Sequence, residues 1–140
     1  MATTKDRFQN SDRKNQVFSD FLNDFSPHPV TGDVVRYVNE NAVNRSIRNL
    51  LYTNKGERLY QPSLGSDLYK ILFEPISSPV SEMLSQTIQT LIADHEPRAK
   101  ILAVDVAPDI EGNAYLVTIQ YMIINRQNPI TLNVTLTRVR

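Results

Sequence analysis

At 140 residues, 41% of them hydrophobic and 21% charged, the chain fits one domain plus a tail and leaves no room for two full-sized domains. It has no cysteine, which excludes a disulfide framework and thiolate chemistry. Lys plus Arg and Asp plus Glu balance at 15 each, so no global field draws the protein toward DNA or an anionic membrane.

Residues 1–16 place Phe8 among Lys5, Asp6, Arg7, Asp12, Arg13 and Lys14. That composition cannot bury enough surface to offset its ordering entropy and predicts a flexible arm. It lacks the apolar core of a signal peptide, and no apolar run in the chain approaches the ~18 residues of a membrane span. The expectation is a protein made and kept in an aqueous compartment. Val17, Phe18, Phe21, Leu22 and Phe25 follow as a short aromatic segment, and Pro27 and Pro29 are expected to block regular structure around His28.

From residue 39 a helix is predicted. Val43, Ile47, Leu50 and Leu51 form one apolar stripe, with Arg45 and Arg48 off it, Asn39 or Asn41 as cap, and Gly56 supplying a positive φ beyond the end. A short helix over 66–73 follows, turning Leu68, Ile71 and Leu72 inward, with Gly65 in the turn before it and Pro75 ending it. The longest helix is predicted over 79–95. Ser78 is its cap, Glu82 lies in its first turn, and Val80, Met83, Leu84, Ile88, Leu91 and Ile92 form its apolar face. Pro97 forces Glu96 out of the helical region.

Beyond Pro97 the period changes from 3.6 to 2. Leu102, Val104 and Val106, then Tyr115, Val117, Ile119, Tyr121 and Ile123, then Ile130, Leu132, Val134 and Leu136 alternate with polar or small residues across two short turns. The reading is α+β: N-terminal helices packed on a three-stranded antiparallel β-meander, with residues 1–38 as an arm and 39–140 as the domain.

Catalysis finds little support. His28 and His95 lack the spacing of metal ligands, and no nucleophile elbow, P-loop or dinucleotide motif occurs. Glu57, Asp67, Glu74 and Glu96 offer paired carboxylates, but any chain with 15 acids does so. From Gly112 onward there is no carboxylate, while Arg126, Arg138 and Arg140 are present. That basic stretch reads as a strand edge protected by charge or as a phosphate-binding surface, and no base-stacking motif accompanies it.

Glu96-Pro97-Arg98 sets a carboxylate and a guanidinium at a rigid corner, at the negative end of a helix dipole. On physics alone it reads as a helix stop with a local ion pair. Before it, in order, come Arg45-Ser-Ile-Arg-Asn-Leu-Leu, Gly56-Glu57-Arg58, Pro62-Ser-Leu-Gly65-Ser-Asp-Leu68 and Leu72-Phe73-Glu74-Pro75. The ordered set, running from residue 39 to 138, resembles the baseplate wedge family of contractile-tailed phages, also called sheath initiators or lysozyme-like wedge proteins and shared with type VI secretion baseplates. Leu64 stands where that family more often has an aromatic.

The resemblance implies a structural subunit that is not an enzyme and has no cofactor. Its partners would be the helical core bundle of larger baseplate wedge proteins and the tail sheath protein, with no nucleic acid, membrane or small-molecule substrate. Glu96, Pro97 and Arg98 would be the docking residues. The segment 130–140 would pair with the first sheath ring, with Ile130, Leu132, Val134, Leu136 and Arg138 as its strand-pairing residues. A type VI baseplate subunit, a cell-wall-degrading enzyme and a regulatory binding module that shares this fold are the alternatives.

Overall fold

The computed structural model describes residues 17–21, 25–124, 126 and 128–138. The arm expected over 1–16, together with Leu22, Val139 and Arg140, lies outside them. The chain divides into two compact units, Met1–Val43 and Asn44–Arg140.

In the first unit, β1 (Ser19–Phe21) pairs antiparallel with β2 (Arg36–Val38), with Ser19 opposite Val38 and Phe21 opposite Arg36. Sequence periodicity indicated no strand here, because three residues per strand are too few to display alternation. Pro27 does not end the pairing: it forms a bridge with Val34, and the neighbouring Val35 amide donates to the Ser26 carbonyl. Between them His28 closes the turn, its Nδ1 accepting from the Val30 amide at 3.2 Å.

Asn39 precedes the helix α1 (Glu40–Tyr52) with φ of +52°. The Asn39 Oδ1 accepts from the amides of Val17, at 2.9 Å, and Phe18. A left-handed backbone at Asn39 is tolerated because a short polar side chain can bond locally.

In the second unit, Ile47, Leu50 and Leu51 of α1 are buried, as their helical spacing requires. The expected helix over 66–73 shortens to one turn, α2 (Leu68–Ile71), and α3 spans Ser78–His95. Ser77 rather than Ser78 occupies the cap position of α3, with extended backbone, and the first turn holds no acidic residue. The predicted apolar face of α3 is right except at Met83, which is 54% exposed. Ser81 and Ser85 are buried in the face instead, and the Ser85 hydroxyl donates to the Val104 carbonyl at 2.8 Å. Small hydroxyl residues let the helix approach the sheet while satisfying their own polar atom.

The sheet is β3 (Ala99–Asp109), β4 (Ala114–Ile123) and β5 (Pro129–Thr137), an antiparallel meander in the order β3-β4-β5. Its register slips at Leu102, between Ile101 and Ala103. Tyr115, Val117, Ile119, Tyr121 and Ile123 from β4 and Leu132, Val134 and Leu136 from β5 are all buried on one face. Each such aliphatic side chain contributes about 1.5–3 kcal/mol relative to exposure. The Tyr121 hydroxyl reaches Asn44 Oδ1 at 2.8 Å and ties β4 to α1.

Candidate docking corner and strand edge

Pro97 ends α3 by steric exclusion, leaving Glu96 at φ −127°, ψ 74°. That turn folds Arg98 back onto Glu96. Arg98 Nε donates to Glu96 Oε1 at 2.5 Å, and Nη2 donates to Oε2 at 2.8 Å, a two-pronged pairing. Glu96 is only 2% exposed, whereas the Arg98 side chain keeps 26%. Burial alone would raise the Glu96 carboxyl. Hydrogen bonds from Arg98 and from the Ser46 side chain, with the guanidinium charge, outweigh it and hold the group below its ordinary value of 4.5.

The corner is therefore a joint of three elements: Ser46 from α1, Glu96 from the end of α3, and Arg98 leading into β3. The Arg98 carbonyl also accepts from the Ile124 amide beyond β4. Of the three predicted docking residues, Pro97 is exposed, Arg98 half-buried and Glu96 buried. Beside them lies an open groove of about 540 Å³ lined by Gln89, Ala93, Pro97, Lys100, Leu102 and Ile124, among others. Ser46 was not a sequence candidate, because nothing local links it to Glu96.

β5 lies at one edge of the sheet. The Arg138 amide donates to the Asn113 carbonyl at 3.0 Å, so even-numbered residues of the strand direct their backbone groups toward β4. Ile130 is half-buried, and Leu132, Val134 and Leu136 are buried. The backbone facing outward belongs to Thr131, Asn133, Thr135 and Thr137, whose side chains are exposed. Ile130, Leu132, Val134 and Leu136 thus supply the inward face and the bonds to β4, Arg138 continues the pairing just beyond the strand, and the odd-numbered residues supply the open edge.

Two side chains of α1 reach this edge. Tyr52 Oη donates to the Thr135 carbonyl at 3.3 Å, and Arg48 Nη2 donates to the Asn133 carbonyl at 3.5 Å. Their i, i+4 spacing on one helix face was a legible signal of shared direction. Arg138 turns the other way, donating from Nε to the Glu74 carbonyl at 3.1 Å and from Nη2 to that of Phe73 at 3.5 Å. Arg138→Ala should lower stability by about 1 kcal/mol, measurable by urea denaturation, because two carbonyls lose a charged donor at a partly solvated site.

The loop between α1 and α2 closes on itself. Asn54 bridges Ser66, the Ser66 amide donates to the Thr53 carbonyl at 2.9 Å, and Glu57 Oε2 accepts from the Asn54 amide at 2.9 Å. Glu57 is thereby bonded inside the fold. Lys70 and Lys55 each lie 3.0 Å from Asp67 and hold its carboxyl below the ordinary range. At the loop tip Leu59 and Tyr60 are 92% and 98% exposed. Among the described residues, no group of three or more His, Cys, Asp or Glu is placed to hold a metal ion.

The profile of the baseplate wedge protein gp25 family matches residues 38–128. The chain belongs to that family. It is 29% identical over 98 residues to baseplate wedge protein gp25 of Enterobacteria phage T4, an alignment covering 70% of this chain and 74% of the relative. Three solved structures share the fold. One, from Geobacter sulfurreducens and provisionally named a tail lysozyme, has a TM-score of 0.66 at 22% identity, covering 70% of this chain and 89% of that one. A chain of the anti-feeding prophage baseplate gives 0.61 at 23%, covering 88% and 87%. A chain of the postcontracted pyocin R2 baseplate gives 0.52 at 18%, covering 75% and 95%. Membership of the gp25 family makes this chain a structural wedge subunit of a contractile-tail baseplate.

Proposed function

We propose that this wedge subunit is non-catalytic, docks on larger wedge proteins through the Glu96-Pro97-Arg98 corner, and offers the outer edge of β5 to the first sheath ring. The observation that carries the docking reading is the fixed guanidinium of Arg98. Glu96, itself hydrogen-bonded by Ser46, grips it with both carboxylate oxygens, and Pro97 and the neighbouring groove are accessible beside it. Preorganisation of this kind lowers the entropy lost on binding. Glu96 acts in this scheme through Arg98, and Pro97 and Arg98 make the contacts. The strand reading is supported by a proline-free edge after Pro129, and by the place of β5 at the end of the sheet order, which leaves the outward backbone groups of Thr131, Asn133, Thr135 and Thr137 facing no further strand of the described chain.

The test is co-purification of the tagged chain with the other baseplate subunits encoded beside it, comparing the parent with Glu96→Gln/Arg98→Met. Replacing both partners of a buried pair by groups of similar volume preserves folding better than removing one. Loss of wedge-protein capture by a folded double variant is the expected result. Undiminished capture would reduce the corner to an internal joint. Hydrolysis of cell-wall substrate by the purified parent, abolished by single carboxylate changes, would overturn the non-catalytic reading.

A further inference from the structure

We propose that Arg48 and Tyr52 guard the outer edge of β5, blocking indiscriminate strand pairing and yielding only to a partner strand that replaces both of their hydrogen bonds. The inference rests on the strand-addition reading above and names the residues that make that edge selective.

An edge strand with a row of outward backbone groups pairs readily with any extended chain, including a second copy of itself. The edge of β5 runs through Thr131, Asn133, Thr135 and Thr137, with exposed, uncharged side chains. Proline lies only at its start, and the strand pairs with β4 without a register slip. None of the usual protections, a bulge, an inward charge or a central proline, is built into the strand. Across the sheet, β3 carries protections that β5 lacks: the register slip at Leu102 and an exposed charge within the strand at Asp105. The protection of β5 comes from outside the strand, as Arg48 and Tyr52 occupy the carbonyls at the middle of the edge.

The lengths of these bonds matter. At 3.5 and 3.3 Å both are longer than a well-formed backbone N–H···O bond of about 2.9–3.0 Å. A strand in register brings linear N–H donors to both carbonyls and displaces the side chains with a gain at each position. A strand too short to reach both carbonyls, or one with a proline opposite either of them, displaces a donor without replacing it. Arg48 and Tyr52 are exposed and on the same face of α1, so they can swing aside without unpacking the helix. The Thr131 and Thr137 positions flank the guarded pair and are where an incoming strand engages first.

Arg48→Ala/Tyr52→Phe removes both donors and leaves the buried stripe of α1 intact. Sedimentation velocity on the purified full chain is expected to show concentration-dependent self-association of this variant, with an apparent affinity at least about tenfold tighter than the parent's. Adding Asn133→Pro, which deletes an outward N–H but no bond to β4, should return it to monomer. Thr135→Pro serves the same purpose if Asn133→Pro lowers the melting temperature. A double variant as monomeric as the parent, or one whose association survives the proline, would overturn the guard. Sheath polymerisation on baseplates carrying Asn133→Pro alone reports on the underlying reading. Loss of sheath growth keeps strand addition even if the guard fails, and normal growth removes strand addition and, with it, the guard's role in assembly.

Discussion

Arg98→Ala should lower the stability of the chain by about 2–4 kcal/mol, among the larger effects of any single substitution outside the apolar core. The substitution leaves Glu96 as a 2%-exposed carboxylate with both of its guanidinium hydrogen bonds removed. The loss is set below the full penalty for a stranded buried charge because the Arg98 side chain retains 26% exposure and Ser46 still donates to the carboxylate. Thermal unfolding of parent and variant at neutral pH measures it directly.

The same pair makes the effect depend on pH in a defined direction. In the parent, the Glu96 carboxyl sits below 4.5, so its contribution to stability is complete above that pH and is lost as pH falls through the depressed value. In Arg98→Ala, burial dominates and the carboxyl moves above its ordinary value, so protonation relieves the buried charge. The stability gap between parent and variant should therefore narrow as pH falls from neutral through 4.5. A gap that stays constant over that range would mean that the penalty is lost packing of the arginine stem rather than unpaired charge.

Gly65→Ala is the second large effect, expected to cost about 2–4 kcal/mol. The residue has φ of +115°, and a Cβ there would lie 2.6 Å from the Thr53 carbonyl oxygen and 2.8 Å from the Asn54 carbonyl carbon and oxygen. These are backbone atoms, which cannot rotate away. They also belong to the closure of the loop, where the Ser66 amide bonds the Thr53 carbonyl and the Lys55 amide bonds the Ser66 carbonyl. Gly56→Ala is the internal control: φ is +83° but nothing lies within 4 Å of the added methyl, so only the conformational cost of about 1 kcal/mol applies. Urea denaturation should rank the two well apart, and limited proteolysis should cut Gly65→Ala faster between residues 54 and 65. Equal losses would mean that the backbone at Thr53 and Asn54 relaxes around the methyl.

The elements that sequence periodicity locates well are those whose causes are local. The end of α3 follows from Pro97 acting on the residue before it. The faces of β4 and β5 follow from alternation, in which Val117, Ile119 and Tyr121 oppose Val134, Leu132 and Ile130 in that order. Local rules mislead where a competing bond is offered from elsewhere in the chain. Met83 has the spacing of a core residue, but Ser85 is the one that meets β3, through the Val104 carbonyl. α2 shrinks to one turn because the Phe73 and Glu74 amides bond only three residues back, to Lys70 and Ile71.

The sequence by itself determined the α+β class, the three-stranded meander, the helix stop at Pro97 and the family-like series of motifs, because each depends on steric preference or period within a few residues. Only the tertiary structure decided that Glu96 is buried and bonded to Arg98 and Ser46, that Arg138 braces the turn after α2, and that Arg48 and Tyr52 lie over the edge of β5. In each of these a side chain chooses among polar atoms brought together by packing. That choice turns on distance and burial in three dimensions, which residue order along the chain does not encode locally.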